Sequence, residues 1–389
     1  MNLLFLLALW IALFFFSVGI IGINLIIMKK NSKKPWNIKA SAAYKPKVTI
    51  IVPTYNESNC IGSKLVNLVK LDYPRELMQI VFVDSNSNDG TMDIITDFVK
   101  QQSTFNFTVL SEKERKGKSA ALNFALQYCT GDVIVVSDSD SYWYPDILEK
   151  TMPFLADPSV GAISGPKILL NPNQTWVTKT ETLYLNSLNS RRLGESKLGS
   201  TLLFEGGFSA FKRNILTSFD QYNTGSDDNG TVIGLIENNQ RTLFLPEAKF
   251  FTFFPETWKE KTSIKTRRAN QIVRVYSKYA SLLLKNRIKS SKGTVFQHVF
   301  FNIVSPFMFV GLLALSVLMV IGFPYFLILL LILLVPNVAL FLAESVQSYI
   351  ILFFSILSVA AGKKFIIWKI PKRKKASQEE ETLRRNGLI

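Results

Sequence analysis

The stretch Val133-Ile134-Val135-Val136-Ser137-Asp138-Ser139-Asp140 joins a short apolar run to two carboxylates. Its four consecutive β-branched residues predict a buried strand. In an open α/β sheet, ligands bind beyond the carboxyl ends of the strands, which is where Asp138 and Asp140 fall. Two carboxylates at this spacing can hold a hard divalent cation, and the cation can in turn hold a diphosphate. A solvated acidic turn after a strand has the same sequence, so the pair is interpreted together with its neighbours.

Uncharged segments divide the chain of 389 residues into a polar centre and apolar flanks. Residues 1–28 carry no charge and are long enough to span a bilayer. Residues 293–343 and 346–362 also lack Asp, Glu, Lys and Arg. We therefore predict a membrane protein with five segments: a transmembrane helix (1–28), a basic linker (29–46), a cytoplasmic α/β domain that includes C-terminal interfacial helices (47–292), a membrane region of two to three helices (293–362) and a basic, then polar, cytoplasmic tail (363–389).

The first apolar segment predicts an uncleaved anchor rather than a signal peptide. It has no Lys or Arg at its amino end and no clear small-residue cleavage pattern. Lysines cluster directly after it, within residues 29–34, and the positive-inside rule then places the central domain in the cytoplasm. Cys60 and Cys129 fit that reducing compartment and predict neither a disulfide scaffold nor a zinc site.

The net charge of +16 could indicate nucleic-acid binding. However, much of the excess lies beside apolar segments, as in Lys363-Lys364 and Lys372-Arg373-Lys374-Lys375, and such clusters favour anionic lipid headgroups. The chain has no basic face interleaved with aromatic residues and no nucleic-acid module. We expect membrane lipids, and no nucleic acid, among its partners.

The apolar region after the domain allows more than one topology. Gly322-Phe323-Pro324 and Glu344 divide it into three segments. If all three cross, the tail ends outside, whereas its basic cluster favours the inside. One segment could instead be interfacial or re-entrant, with the first the best candidate because Pro306 can bend it. Glu344 is predicted to be a loop residue at headgroup level, although a buried functional acid is the alternative.

Strands and helices alternate through the central domain. Strands are predicted at residues 47–52, 80–83, 107–110, 133–136, 160–164 and 242–245, and helices at 61–69, 92–100, 116–128 and within 174–193. This alternation predicts right-handed βαβ units and a mostly parallel sheet. Because each polar cluster follows a strand, the clusters are expected to meet in one cleft at a single edge of the sheet.

Four polar motifs occupy these strand ends in a characteristic order. They are Val52-Pro53-Thr54-Tyr55-Asn56-Glu57, the turn at residues 84–91, Gly117-Lys118-Ser119-Ala120-Ala121-Leu122-Asn123 and Asp138-Ser139-Asp140. In order and spacing, the set resembles family 2 glycosyltransferases with the GT-A fold, over about residues 47–280. The flanking apolar segments resemble the membrane-bound branch of that family. The resemblance implies an α/β, Rossmann-like domain with a mostly parallel sheet, flanked by transmembrane helices.

The resemblance also implies a nucleotide-sugar site. Asp84 matches the carboxylate that binds the base, because a carboxylate accepts from the N–H of uracil or guanine. The family usually has a second Asp where this chain has Ser85, so a UDP-sugar is favoured and a GDP-sugar stays possible. An Asn/Asp-rich turn that caps the next helix would explain Asp84 equally well, with Asp89 as the cap. The other residues placed at the donor by resemblance are Pro53, Tyr55, Glu57 and Lys118.

Metal and base residues follow from the same resemblance. Asp140 would ligate Mg²⁺ or Mn²⁺ bridging the diphosphate, with Asp138 beside it on the ribose or the sugar. In Gly225-Ser226-Asp227-Asp228-Asn229, Asp228 matches the second acid of the family's acidic pair, which is the base in inverting members. It would take the proton of the acceptor hydroxyl. A helix N-cap cluster is the alternative, and Asp227 could fill that role.

Gln271-Ile272-Val273-Arg274-Val275 resembles the Gln-x-x-Arg-Trp box of processive members, which make cellulose, chitin, hyaluronan or poly-N-acetylglucosamine. Gln271 and Arg274 match the box, and the resemblance implies that Arg274 contacts the diphosphate. Val275 replaces the Trp that helps to form the acceptor site. A basic helix at the membrane surface would give a similar pattern.

Glycines mark a second acceptor element. The stretch from Phe204 to Arg213 lies where the family places an acceptor loop. Gly206 and Gly207 could let the backbone approach a ligand, or they could serve a tight turn.

Three functions fit this sequence. The favoured one is an inverting transfer of a sugar onto a lipid-linked or surface glycan, because three or four spans make a small channel for a polymer. A processive polysaccharide synthase is the alternative. A non-catalytic sugar-nucleotide-binding membrane protein is less favoured, since Asp84, Asp138, Asp140 and Asp228 occur together.

Overall fold

A seven-stranded sheet forms the centre of the computed structural model, which describes residues 3–325, 327, 335–365 and 376–389. The strands are β1 (Val48–Thr54), β2 (Met78–Asp84), β3 (Asn106–Ser111), β4 (Val133–Val136), β5 (Tyr142–Trp143), β6 (Val160–Ser164), β7 (Lys167–Leu169), β8 (Ser209–Lys212), β9 (Arg241–Phe244) and β10 (Phe250–Thr252). Their order across the sheet is β3-β2-β1-β4-β8-β6-β9, while β5, β10 and β7 form a small second sheet. In the large sheet only β8 is antiparallel to its neighbours, which confirms the predicted mostly parallel α/β fold.

Helices cover both faces of the sheet and extend beyond it. They are α1 (Leu3–Phe14), α2 (Ile20–Asn31), α3 (Ile61–Val69), α4 (Thr91–Lys100), α5 (Lys118–Leu126), α6 (Ile147–Thr151), α7 (Trp176–Leu198), α8 (Asn229–Glu237), α9 (Trp258–Leu284), α10 (Lys292–Val299), α11 (Ser305–Gly322), α12 (Pro336–Ala360) and α13 (Ala376–Arg385). One π-helical turn joins α1 to α2 and another joins α10 to α11.

Alternating side chains along β1 supply two separate apolar cores. Ile50 packs with Ile61 of α3 on one face, and Ile51 packs with Leu122 of α5 on the other. Because both faces are covered, the free space lies at the carboxyl ends of the strands. Between β1 and β4 the strand order reverses, which is the usual place for a ligand crevice in such a sheet.

Strand β1 is longer than predicted. We expected Pro53 to end it, but β1 continues to Thr54 and Pro53 pairs with Val83. The β4 partner pairs only as far as Ile51. At Pro53 the strand therefore has a neighbour on one side only, where a missing N–H is tolerated.

Strand β8 lies in the stretch that was interpreted as an acceptor loop. Its residues pair with both β4 and β6, and they alternate between the two cores: Ala210 belongs to one and Phe211 to the other. A strand of four residues beside two glycines is too short for a clear periodic pattern. The expectation of a loop throughout this stretch is wrong for Ser209–Lys212.

Within the described residues, three helical stretches are long and apolar enough to cross a membrane. They are Leu3–Asn31, Lys292–Gly322 and Val338–Ala360. Polar side chains connect these stretches: Trp10 Nε1 donates to Ser316 Oγ at 2.8 Å, and Ser305 Oγ donates to Ser17 O at 3.1 Å. Part of the predicted second segment after the domain, and the cluster at residues 372–375, lie outside the described residues.

The position of Glu344 corrects one expectation. It lies inside α12, it is 5% exposed, and its Oε2 accepts from Lys261 Nζ at 2.6 Å, with Lys265 also paired to it. The prediction of a headgroup-level loop residue is wrong. A buried carboxylate needs cationic partners, and two lysines of α9 supply them.

Close packing of α2 against α7 generates a stability prediction. A Cβ at Gly194 would stand 2.2 Å from Met28 O, whereas a Cβ at Gly62 of α3 would meet no atom within 4 Å. Gly194→Ala should therefore cost about 1–3 kcal/mol because backbone has to move. Gly62→Ala should be neutral or stabilising by about 0.5–1 kcal/mol. Thermal unfolding of both variants in detergent should show a lower apparent Tm for Gly194→Ala only. Equal Tm values would contradict this packing.

Candidate active site

A cavity of about 620 Å³ opens at the carboxyl ends of β1 and β4. The predicted site residues that line it are Pro53, Tyr55, Glu57, Lys118, Asp138, Asp140, Asp228 and Gln271. Two other predicted residues, Asp84 and Arg274, lie outside the lining. Residues from five motifs that are far apart in sequence thus meet in one cleft.

The turn after β4 presents two carboxylates to the cavity. Asp138 and Asp140 line the cavity, while Ser139 between them is buried. Asp138 N donates to Gly206 O at 3.2 Å, which ties this turn to the glycine pair before β8. Among the described residues, no group of three His, Cys, Asp or Glu side chains could hold a metal ion. Two carboxylates suit a cation whose other ligands are diphosphate oxygens and water.

Lys118 is the cation at the centre of these acids. At the start of α5, its Nζ lies 2.6 Å from Asp138 Oδ1 and 2.8 Å from Asp227 Oδ2. Burial would lower its pKa, but the two carboxylates raise that pKa well above the usual value. On Asp138, burial has the opposite effect and would raise the pKa. The charge of Lys118 outweighs burial and holds the pKa of Asp138 below its usual range. Asp138 is therefore kept ionised.

Asp228 begins α8 and has the opposite electrostatic environment. Its Oδ1 accepts from Ser226 Oγ at 2.6 Å and from Asn229 N at 2.6 Å, so the residue is a true N-cap. Burial, followed by the charge of Asp227, raises the pKa of Asp228 to about 6. The hydrogen bonds given for it all end on Oδ1, which leaves acceptor capacity on Oδ2. Asp228 therefore caps α8 and is also a carboxylate whose pKa suits a general base.

The Gln-x-x-Arg residues support the loop that carries Asp228. Gln271 Nε2 donates to Gly225 O at 2.6 Å, and Arg274 donates to Thr224 O. Gly225 has a φ of +86°, a conformation that favours glycine in this turn. The structure thus places Arg274 behind the loop.

Asp84 organises the turn after β2. Its carboxylate accepts from Thr54 Oγ1 at 3.0 Å, from Ser87 Oγ at 2.6 Å and from Ser87 N at 2.8 Å, and the residue is buried. Asp89 accepts from Thr91 N at 3.1 Å, but the N-cap position of α4 is occupied by Gly90 rather than by Asp89. Ser85, beside Asp84, lines the cavity instead. Recognition of the base by Asp84 stays a prediction.

Several cavity cations had no sequence signal as site residues. Lys167 Nζ lies 3.8 Å from Glu205 Oε2, and Arg192 Nη2 donates to Glu205 Oε1 at 3.0 Å. Burial alone would raise the pKa of Glu205, but Lys167 and Arg192 lower it to about 2. Arg192 Nε and Nη1 are buried without a hydrogen-bond partner among the described residues. Lys167 follows no motif and Arg192 lies inside a helix, so only the tertiary fold brings them to the cavity.

Three further arginines contribute to the lining. The Arg115 guanidinium stands 3.7 Å from the ring centre of Tyr55, a cation–π contact. Arg267 and Arg268 of α9 also line the cavity, a turn or more before Arg274. A basic helix at the membrane surface is one of the two interpretations of this stretch, and the fold turns both arginines toward the cavity.

The glycine pair is explained by packing around the site. A Cβ at Gly206 would lie 2.6 Å from Lys118 Nζ and 3.0 Å from Asp138 Oδ2. A Cβ at Gly207 would lie 2.2 Å from the ring of Phe250. Both positions therefore need glycine so that the Lys118–Asp138 pair and β10 can approach.

Apolar side chains of two long helices also line the cavity. Ile264 and Ile272 of α9 line it, as do Ile351 and Leu352 of α12. Residues of α12 belong to a stretch that is apolar enough to cross a membrane. One cavity thus connects the acidic cluster with the apolar helices.

Several known proteins are similar to this chain in sequence and structure. Residues 49–219 match the family described as Glycosyl transferase family 2. The mannosyltransferase PcManGT from Pyrobaculum calidifontis, solved in complex with GDP-Man and Mn²⁺, superposes with a TM-score of 0.78 at 28% identity, over 92% of this chain and 100% of that one.

Two curated relatives are also similar. An N-acetylglucosaminyltransferase of Rhizobium meliloti is 30% identical over 227 residues, which are 55% of this chain and 53% of that protein. The probable glycosyltransferase YdaM of Bacillus subtilis is 28% identical over 239 residues, 59% of this chain and 56% of that protein. The chain spans about half the length of these curated relatives. With the sheet order and the convergent motifs, the matches show that residues 49–219 are similar to glycosyl transferase family 2 and that the chain has the mixed α/β fold of GT-A structures.

Proposed function

We propose that the protein is a membrane-bound inverting glycosyltransferase that moves a sugar from a nucleoside diphosphate sugar to a lipid-linked acceptor. The observation that carries this proposal is the continuous cavity, which joins the acidic cluster around Lys118 to side chains of α12. A donor with a diphosphate fits the first end, and an acceptor held in a membrane fits the second.

Asp138 and Asp140 would hold Mg²⁺ or Mn²⁺ together with the donor diphosphate. When bound, the ion supplies positive charge to the departing nucleoside diphosphate. The two carboxylates fit this role because they line the cavity side by side and Lys118 keeps Asp138 ionised. The complex of the similar PcManGT with GDP-Man and Mn²⁺ supports a divalent cation together with the donor.

Asp228 is the proposed base. It takes the proton of the acceptor hydroxyl as that oxygen bonds to the anomeric carbon, on the face opposite the leaving diphosphate. The bond from the anomeric carbon to the diphosphate oxygen breaks, and its electron pair leaves with the nucleotide. A pKa of about 6 suits a base at neutral pH, since the group is ionised there yet still basic.

The donor is proposed to be a hexosyl or N-acetylhexosaminyl nucleotide. The names of the curated relatives favour N-acetylglucosamine, whereas PcManGT binds GDP-Man. We favour a UDP-sugar, with a GDP-sugar as the alternative. Pro53, Tyr55 and Glu57 line the cavity beside Ser85, where the base and ribose would lie.

The acceptor is proposed to carry a phosphate next to its lipid. Arg192 has two buried nitrogen donors without a partner among the described residues, and Lys167 lies beside it. Buried donors of this kind gain most from an anion that accepts two hydrogen bonds. The apolar lining by Ile351 and Leu352 would receive the lipid chain.

A processive polymer synthase is the second candidate. The match of Gln271 and Arg274 to the Gln-x-x-Arg-Trp box favours it. However, Val275, at the position of the missing Trp, packs in the core with Tyr276 rather than in the cavity. This position offers no aromatic platform for a growing polymer.

The proposed topology has three crossings with the catalytic domain in the cytoplasm. Lysines lie at the carboxyl ends of both α2 and α12, at residues 29–34 and 363–364. This supports the same, cytoplasmic side of the membrane for the carboxyl ends of these two helices. Leu383 and Leu388 pack with Tyr142 of the catalytic domain, so the segment after α12 lies on the domain's side. Two crossings between α9 and α13 satisfy both observations.

Transfer assays on the protein in detergent test the function. A panel of UDP- and GDP-sugars with Mn²⁺ and a polyprenyl phosphate should give one product bearing a single added sugar. A ladder of products would indicate the polymer synthase instead. No turnover with any donor, despite nucleotide binding, would favour a non-catalytic binding protein.

The base assignment predicts a pH profile. Because Asp228 must be deprotonated to accept a proton, kcat/KM should fall as pH drops below about 6 and level off above it. Asp228→Asn should lower kcat/KM by roughly 10²–10⁴-fold and remove this acid limb. Asp228→Glu should retain a limb. An unchanged rate and profile in Asp228→Asn would rule out Asp228 as base.

The proposed acceptor site predicts that a change at Arg192 alters KM for the acceptor but not KM for the donor. Arg192→Gln should raise KM for a polyprenyl phosphate by about tenfold, since a hydrogen bond to a charged group contributes about 1.5–3 kcal/mol. KM for the donor should stay unchanged, and Arg192→Lys should recover part of the loss. A matching increase in KM for a neutral lipid-linked glycan would contradict a phosphate at this position.

A further inference from the structure

The turn that carries Asp138 and Asp140 is held from behind by α3. Lys64 is fully buried, and its Nζ donates to Ser137 Oγ at 2.7 Å and to Ser141 O at 2.6 Å. These two residues flank the acidic pair directly. The same ammonium lies 4.3 Å from the ring centre of Trp143. One buried lysine side chain therefore fixes both ends of the acidic turn.

Asn67, one helical turn after Lys64, continues this support and extends it. Its Nδ2 donates to Trp143 O at 2.8 Å, and its Oδ1 accepts from Trp143 N at 3.0 Å. The same Nδ2 also donates to Leu388 O at 2.7 Å. The buried amide of Asn67 thus joins the strand after the acidic turn to Leu388, which lies 321 positions beyond Asn67 in the chain.

Residues 383–389, here called the docked segment, cover the same region with apolar side chains. Leu383, Leu388 and Ile389 are buried against Tyr142 and Phe251. Tyr142 lies two residues after Asp140 and pairs with Phe251 across β5 and β10. The docked segment therefore packs on the strand into which the acidic turn leads.

We propose that the docked segment positions Asp138 and Asp140 for the divalent cation, acting through Asn67 and Tyr142. A metal site needs its carboxylates held close to the binding geometry, so the turn depends on restraint from the residues packed behind it. Lys64 supplies the restraint within the catalytic domain, and the docked segment supplies it from beyond α12. Leu383, Leu388, Ile389 and Asn67 are positioning residues, because they pack behind the turn and none of them lines the cavity. The inference depends on the proposed role of the acidic pair in holding the metal ion.

The test uses the full chain in detergent, first without metal. Leu388→Ala should increase amide hydrogen exchange in residues 137–143 while leaving exchange in α5 unchanged. Mn²⁺ binding, measured by electron paramagnetic resonance of the free ion, should weaken by about tenfold, a size typical of coupling between sites. Ile389→Ala, at a less completely buried position, should give a smaller change in the same direction. If neither variant changes exchange or Mn²⁺ affinity, the docked segment has no positioning role.

Two controls separate the possible failures. Arg385→Ala removes a side chain that is 77% exposed on the same helix, so exchange and Mn²⁺ binding should both stay as in the unaltered protein. Asp140→Asn should abolish Mn²⁺ binding. If Asp140→Asn leaves binding intact, the metal assignment in the proposed function is wrong. If it abolishes binding while Leu388→Ala has no effect, only the positioning inference is wrong.

Discussion

The ion pairs of Lys118 are the interaction on which the site depends. Its Nζ touches both Asp138 and Asp227, which belong to different turns and are 89 positions apart in the chain. Without that ammonium, the carboxylates of two turns would face each other across a partly buried cavity, a costly arrangement when charges lack partners. With it, Asp138 keeps a low pKa, whereas burial and the charge of Asp227 raise the pKa of Asp228, which forms no ion pair within the described part of the chain. One lysine thus separates the acids into two chemical classes, one suited to a cation and one to a proton.

Helix α9 connects the acidic cluster around Lys118 with the apolar helix α12. Gln271 and Arg274 hold the loop before Asp228, while Arg267 and Arg268 line the cavity from the same helix. Nearer its start, Lys261 donates to Glu344 of α12. The buried ion pair at Glu344 is expensive to form and more expensive to break, so it fixes the position of α9 relative to α12. The base loop is consequently anchored to a helix that borders the apolar end of the cavity.

Local patterns predicted the parts of the fold that local residues determine. The β-branched run before Asp138 became β4, and residues 61–69 became α3, because burial and periodicity act on consecutive residues. Lys167 and Arg192 could not be recognised in this way, because each is an isolated cation whose role arises from contact with Glu205. Glu344 was misplaced for the same reason, since its partners are more than 70 residues away. The sequence pattern shows which side chains follow a strand but not which distant charges pair with them.

The two ends of the cavity also bear on selectivity for the acceptor over water. Under the proposed function, the donor lies against Lys118 and the acidic turn, and the acceptor arrives past Ile351 and Leu352. Asp228 lies between them, half-buried, in a position to activate whichever hydroxyl reaches it. A lipid chain that fills the apolar end excludes water from that approach, because apolar surface is buried as the acceptor enters. Binding of the acceptor would then favour transfer over hydrolysis of the donor, and the same contacts that hold the lipid would protect the donor sugar.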